Sequence, residues 1–344
     1  MKYTLLLWPH ANARYQQETR KLALAELALM LARVMPEAEA CIDDRADMPS
    51  LALDVPRPLD SKAIEAIRSH SLLYGLFEAR EDGSLLPVAG RAEACLGADL
   101  PSILKYKGKT NEMFLQLMIN AALYASDFWE AGGALRLLDP MCGRATAPFL
   151  ALNRGWNAVG ADVDRADLKE AEKFFKRYLE YHRMKHSMAR ESRTLRGGKP
   201  APVVRFEAAA TPERFKAGET VSLSLMNLDA AQAAEALGKG AFHLIVCDLP
   251  YGVRHDAQLE PAARNGRNWL ESLTARSLAG FRELLKPGGA AALSFNAQTF
   301  PLEKVRGLME AAGLEVMRGG PYDGFEHWVE QAITRDVAIC KRTK

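Results

Sequence analysis

The sequence predicts an α/β protein, a doubly wound and largely parallel sheet preceded by a small α+β domain. Three observations lead there. From residue 135 onward, apolar runs of strand length alternate with stretches of helical spacing, the pattern of a parallel sheet with helices on both faces. Four acidic residues, Asp139, Asp162, Asp229 and Asp248, each close one of those apolar runs. Ahead of them the chain has a different texture, with short strands and helices ending in a hairpin signal. The expected boundaries are 1–98 for the N-terminal domain, 99–130 for a connector and helix, and 131–344 for the sheet domain.

The elements follow in order. "KYTLLLWP" at the start reads as a strand, residues 15–34 as a helix by apolar spacing, and "SLALDVP" (50–56) as a second strand. "LDSKAIEAIRSH" reads as a helix with Asp60 or Ser61 as its N-cap. "LLYGLFEAR", Asp82-Gly83 and "SLLPV" signal a hairpin. "LPSILKYKGKTNE" (100–112) is an ordered connector; its "GKT" is not a phosphate loop, because the motif's first glycine would fall on Ile103. A helix then runs from about Asn111 to Phe128. "LRLLDP" is a strand, "TAPFLALNRG" a helix with Gly155 at its C-terminal end, "NAVGADVD" a strand, and 165–182 a helix. "SLSLMNLD" (222–229), "FHLIVCDLP" (242–250) and "AAALSFNA" (290–297) are further strands, the last after a helix exit and turn at "LLKPGG". "GLEVMRGG" and "VEQAITRDVAICKR" read as two closing antiparallel strands with "YDGFEHW" between them.

Composition bounds the function. Hydrophobic residues at 48% and charged residues at 26% are those of an ordinary soluble protein, and a net charge of +2 excludes a globally basic binder. The charge is uneven. Residues 1–100 carry 11 Lys/Arg against 15 Asp/Glu, a net of −4, whereas 176–205 carry 9 against 2, a net of +7. The gap between Asp162 and Asp229 exceeds the roughly 20–30 residues a simple crossover needs. The excess is a basic insertion over about 183–220, whose Arg183, Lys185, Arg190, Arg193, Arg196 and Lys199 suit a polyanion. His182 and His186 sit four apart on the expected helix but have no third partner, so no metal is expected. Five cysteines without a C-x-x-C pair suggest reduced thiols. The opening apolar run is too short for a signal peptide, and "LALAELALMLA" (22–32) is interrupted by Glu26 and too short to span a bilayer. The expectation is a soluble, cytoplasmic protein without membrane contact.

The chemistry-bearing stretches lie at the strand ends. In "LLDPMCGRATAPFL" a strand runs into Asp139-Pro140, a turn with Gly143, then Thr146 and a helix; a first turn of this kind lets a ligand approach backbone at the carboxyl edge of the sheet. No G-x-G-x-x-G is present, which argues against NAD or FAD. Asp162 follows about 20 residues on, at the distance of an acid that accepts from ribose hydroxyls. An adenosine-type ligand without a pyrophosphate fits both facts, and S-adenosylmethionine (SAM) is such a ligand. Asp229 either faces an adenine edge or caps a helix. Asp248-Leu249-Pro250-Tyr251 offers an acceptor, a kinked backbone and an aromatic face, a set suited to a planar substrate with an exocyclic amine.

With these residues in view, 135–344 resembles the class I SAM-dependent methyltransferases, most of all the THUMP-type RNA methylases that include the tRNA guanine-N2 methyltransferases. Members carry D-P-x-C-G-S-G-T, which here is Asp139, Pro140, Met141, Cys142, Gly143, Arg144, Ala145, Thr146, and [DN]-P-P-[YF] continued as G-V-R, which here is Asp248 to Tyr251 and then Gly252, Val253, Arg254. "IEAIRSHSLLYGLFEAR" is similar to the family's N-terminal ferredoxin-like domain. The resemblance implies a Rossmann-like, seven-stranded methyltransferase domain. It implies that Asp139, Pro140, Cys142, Gly143, Thr146, Asp162, Val163 and Asp229 hold SAM, that Asp248, Pro250 and Tyr251 are catalytic, and that Arg254 with Arg183, Lys185, Arg190 and Arg193 binds RNA, tRNA above all. Arg144, Ala145 and Leu249 depart from the pattern, and about 100 residues leave little room for a full THUMP module. DNA adenine N6, a protein glutamine amide, or a non-catalytic nucleic-acid-binding role remain as alternatives.

Overall fold

Alternation along the first strand sets the N-terminal core. Tyr3, Leu5 and Leu7 of β1 (Lys2–Leu7) point to one face and are buried. The computed structural model describes residues 1–10, 13–43, 48–131, 133–195, 198–251 and 269–343. β1 is followed by α1 (Ala13–Val34), β2 (Glu39–Ile42), β3 (Ser50–Asp54), α2 (Ser61–Arg68), β4 (Leu73–Ala79) and β5 (Leu85–Ala89). The sheet order is β2-β3-β1-β4-β5, antiparallel throughout, so two β-α-β crossovers interleave. Asp60 caps α2, accepting from the Ala63 amide at 2.8 Å. β2 has no counterpart in the sequence reading, because its four residues are mostly exposed and show no alternation.

A short helix α3 (Leu100–Ile103) and the connector lead to α4 (Glu112–Ala125), whose first amides are capped by Asn111. The second sheet then begins. β6 (Arg136–Asp139), α5 (Thr146–Asn153), β7 (Asn157–Asp162), α6 (Arg165–Tyr181), β8 (Lys185–Thr194), β9 (Pro200–Ala209), α7 (Pro212–Lys216), β10 (Val221–Asn227), α8 (Ala233–Leu237) and β11 (Phe242–Asp248) follow in order. The chain closes with α9 (Trp269–Leu284), β12 (Leu285–Asn296), α10 (Leu302–Ala311), β13 (Glu315–Val316), β14 (His327–Glu330) and β15 (Ile333–Lys341).

Ten strands take part, in the order β13-β15-β12-β11-β6-β7-β10-β9-β8 with β14 paired to β15. β10, β7, β6, β11 and β12 are parallel, and β15 and β9 flank them antiparallel. Leu137 and Leu138, adjacent on β6, enter separate apolar cores on the two faces, as double winding requires. From β6 the chain steps to β7 and β10 on one side, then returns to β11 and β12 on the other. The order therefore reverses between β6 and β11, where ligands of such sheets lie outside the strands' carboxyl ends.

Several expectations are corrected. Among the described residues the second sheet has ten strands rather than seven, because the basic insertion contributes the hairpin β8–β9, and because "VEQAITRDVAICKR" divides into β14 and β15. The expected turn at "LLKPGG" lies inside β12, accommodated by a register shift against β11 and by Gly288 at φ +81°. α6 ends at Tyr181, so His182 caps it and His186 lies on β8; the two do not share a helix face.

Candidate active site

The turn after β6 is built from its own backbone. The Asp139 carboxylate accepts from the Met141 amide at 3.1 Å, and the Cys142 amide donates to the Ala161 carbonyl at 2.9 Å, tying the turn to β7. Gly143, at φ +49°, donates its amide to the Asp162 carboxylate at 2.8 Å. Ala145 stands at φ +67° directly before α5, a left-handed position where the related pattern has glycine. Arg144, the other departure, pairs with Asp167 on α6 at 2.8 Å and lays its guanidinium over the Tyr106 ring at 4.6 Å. The turn is also packed tightly from below: a Cβ on Gly160 would meet the Cys142 sulfur at 2.8 Å.

Asp162 ends β7, and its carboxylate also accepts from the Asp164 amide at 2.8 Å. The next side chain, Val163, is 52% exposed beside it, an apolar surface at the sheet edge. The residue that braces this turn from β10 is Asn227, whose Nδ2 donates to the Asp162 and Val163 carbonyls at 3.0 Å each. Asp229 instead caps the short 3-10 turn Ala230–Gln232, accepting from the Ala231 amide at 2.9 Å. Of the two uses open to Asp229, the cap is the one seen.

Asp248 ends β11 at the same edge. The Thr110 hydroxyl donates to its Oδ2 and the Tyr251 hydroxyl to its Oδ1. Tyr251 is held in turn by Arg335 of β15, whose Nε donates to the phenol oxygen at 2.7 Å, and its hydroxyl lies 3.2 Å from that of Ser294. Arg335 is buried, with its guanidinium over the Phe114 ring at 4.5 Å and the Tyr251 ring at 5.2 Å. Leu249 is 1% exposed in the core, and its amide donates to the Ser294 carbonyl at 2.9 Å, a bond a proline there could not make. Pro250 is half-buried beside it.

The electrostatics of this edge are acidic. Burial drives the Asp139 carboxyl well above the usual range, and the Asp162 and Asp248 charges push it further. Burial raises Asp162 as well, against the two amides that it accepts from. Burial also raises the Tyr251 phenol well above its ordinary value, with Asp248 adding to the effect. The Cys142 and Cys247 thiols are driven up by burial and by the neighbouring carboxylates, and so are inert. Asp139 is thus held towards its neutral form by burial and by the two acids beside it.

The predicted site residues thus divide. Asp139, Pro140, Cys142, Gly143, Thr146, Asp162, Val163, Asp248, Pro250 and Tyr251 come together along the carboxyl edge at β6, β7 and β11. Arg254, with Gly252, Val253 and Arg196, lies outside the described residues. The other basic residues are spread out. β10 pairs Met226 with Val203, and β9 pairs Ala201 with Arg193. Arg193 therefore lies just past the carboxyl end of β10. Lys185 pairs with Ala209 at the opposite end, eight residues and about 26 Å away. Arg183 sits at φ +53° in the turn after α6, and Arg190 is ion-paired to Glu172 of α6. Among the described residues no group of three His, Cys, Asp or Glu side chains is placed to hold a metal, and no helix is long and apolar enough to cross a membrane.

Tyr106, Thr110, Asn227, Ser294 and Arg335 belong to this arrangement and were not singled out by the sequence. Asn227 stood inside the recognised "LMNLDA" one strand position before the turn, and Thr110 inside the dismissed "GKT".

No protein-family model and no curated protein matches the chain. Among solved structures it is similar to a TehB-like SAM-dependent methyltransferase from Corynebacterium glutamicum, 17% identical over 62% of this chain and 84% of that one, with a TM-score of 0.36. It is similar also to magnesium protoporphyrin IX methyltransferase from Synechocystis, solved with SAM bound, 15% identical over 71% and 90% with a TM-score of 0.37. A methyltransferase from Pyrococcus furiosus is 14% identical over 70% and 89% with a TM-score of 0.39. At these scores the fold assignment rests on the strand order and its reversal between β6 and β11.

Proposed function

We propose that this protein is a SAM-dependent methyltransferase acting on an exocyclic amine of an RNA base, guanine N2 of tRNA in its sharpest form. One observation carries the reading: Asp248 stands at the carboxyl end of β11, at the sheet's reversal point, on the same edge as the Gly143–Asp162 turn. In this reading residues 1–98 form a ferredoxin-like domain, 99–130 the connector and 131–344 the catalytic domain, in the cytoplasm.

The residues present suit the cofactor. The acids Asp162 and Asp248, on either side of buried Asp139, suit a sulfonium cation, and exposed Val163 offers an apolar face next to Asp162. Asp139, Pro140, Cys142, Gly143 and Thr146 would line one side, and Asp162 and Val163 the other; Asp229 contributes through the turn it caps. When bound, SAM supplies a methyl group activated by a positive sulfur.

The rest is positioning. The Asp248 carboxylate keeps lone pairs on both oxygens beyond those taken by Thr110 and Tyr251, so it accepts from an amine N–H and aims the nitrogen. The amine loses its proton as it alkylates, and Asp248 stands where that proton leaves. Tyr251 supplies the aromatic wall. Arg193 of β8, paired with Ala201, lies at the same edge and supports a polyanionic substrate.

The test is transfer of labelled methyl from SAM to RNA, DNA and protein pools of a host lacking this protein, with Asp248→Ala as control. The expected product is N2-methylguanosine in RNA, lost in the variant. Label in DNA or protein would replace the substrate, and absence of both label and SAM binding would end the reading.

A further inference from the structure

We propose that Thr110 is a positioning residue for this reaction: from the connector ahead of α4 it fixes the orientation of the Asp248 carboxylate. This rests on the function proposed above.

The observation is a hydrogen bond across 138 residues of chain, from the Thr110 hydroxyl to Asp248 Oδ2. A carboxylate at a strand end turns about a soft terminal torsion, and a donor on one oxygen removes that freedom. The donor helps only if it is itself held, and Thr110 is pinned from both sides. On one side Asn111 accepts from the Met113 amide at 2.8 Å and the Phe114 amide at 3.4 Å, locking the chain onto α4. α4 in turn packs its buried face against β11 and β12. On the other side the Lys109 ammonium donates to the Pro101 carbonyl at 2.7 Å and lies 3.4 Å from Glu112.

The same connector reaches the other half of the site. Tyr106 lies under the Arg144 guanidinium, 4.6 Å from ring centre to charge, and its hydroxyl stands beside Gly143, 3.6 Å from where a Cβ would sit. Five residues of one strap therefore span the turn before α5 and the acid after β11. Thr110 does not touch the transferred group; it acts through Asp248, whose remaining lone pairs are left to the amine.

The test compares full-length wild type with Thr110→Val, which keeps shape and loses the hydroxyl, and Thr110→Ser, which restores it. Labelled SAM and the RNA pool are the probes. Thr110→Val is expected to lower kcat by about 10- to 100-fold, with the melting temperature, the SAM Kd and the KM for RNA little changed, and Thr110→Ser to recover most of the loss. Activity of Thr110→Val within about twofold of wild type, or Thr110→Ser as impaired as Thr110→Val, overturns the inference. So does a loss that resides in SAM affinity or folding. Crystal structures of wild type and Thr110→Val decide it independently of turnover. A carboxylate turned in the variant supports it, and an unchanged Asp248 overturns it. A wild type that transfers no methyl group would remove the proposed function while this structural comparison still stands.

Discussion

At the scale of single residues, the departures from the expected motifs have local reasons. Leu249 replaces a proline, and the structure uses both its side chain, buried in the core, and its amide, bonded to Ser294. Leu249→Pro should therefore cost about 2–4 kcal/mol in denaturant unfolding, through an orphaned carbonyl and a poorer fit. Unchanged stability would show that neither feature matters. His327 gives a pH prediction. Its Nδ1–H donates to the Phe325 carbonyl at 2.9 Å, and burial, helped by the nearby Arg335 charge, outweighs that bond and lowers its pKa to about 4. The unfolded histidine titrates near 6.5. Between those values the unfolded chain takes a proton that the folded chain refuses, so this stability is present above about pH 6.5 and lost as pH falls toward 4. Asp336, raised by burial to about 6, acts in the opposite sense. The measurement is therefore the stability difference between wild type and His327→Phe, which cancels other groups. It should shrink by about 3 kcal/mol across that window; a flat difference would mean that His327 is not held neutral.

At the scale of elements, what the sequence revealed follows from what each element buries. β6, β7, β10 and β11 announce themselves because their apolar runs face two cores, and their closing acids mark the turns that follow. β8 is invisible by the same rule: "KHSMARESRT" is exposed along almost its whole length and is held chiefly by its ladder with β9. Its charges then read only as a basic insertion. The site was legible where it is local, in the turns after β6, β7 and β11, and not where it depends on distant chain. Thr110 and Arg335 reach Asp248 and Tyr251 only through the packing of α4 and β15, which no short pattern encodes. The hairpin's geometry also yields a prediction about charge. Arg193→Glu and Lys199→Glu, at the end beyond β10, should weaken binding of a tRNA pool and each lower its salt slope by about one. Lys185→Glu, about 26 Å away along the strand, should not. Equal loss from Lys185→Glu would mean the whole hairpin face, rather than its projecting end, meets the polyanion.

At the scale of the whole molecule, the two sheets are joined by one apolar core with a polar knot inside it. Buried side chains run continuously from Leu5, Leu27 and Ile67 through Ile119 of α4 to Leu137, Leu244 and Val337. Glu26, the residue that interrupts the apolar run of α1, is fully buried within this core. It accepts from the Ser71 amide at 2.9 Å, from the Ser71 hydroxyl and from the Asn120 amide group. Asn120 donates also to the Ser69 carbonyl at 2.9 Å and accepts from Arg154 of the second sheet's helical layer. Burial lowers the Arg154 guanidinium to about 10, which still leaves it charged at neutral pH. Asn120 thus bonds both the buried carboxylate of α1 and the half-buried Arg154 at the end of α5. Removing it leaves buried Glu26 and half-buried Arg154 each short of a partner, which costs more than one ordinary hydrogen bond. Asn120→Ala should lose about 3 kcal/mol in urea unfolding. Because α4 carries the connector that ends on Asp248, it should also loosen protease access around residues 104–111 before the sheet itself unfolds. A loss below about 1 kcal/mol would show that water replaces Asn120, and that the shared apolar core alone joins the two sheets.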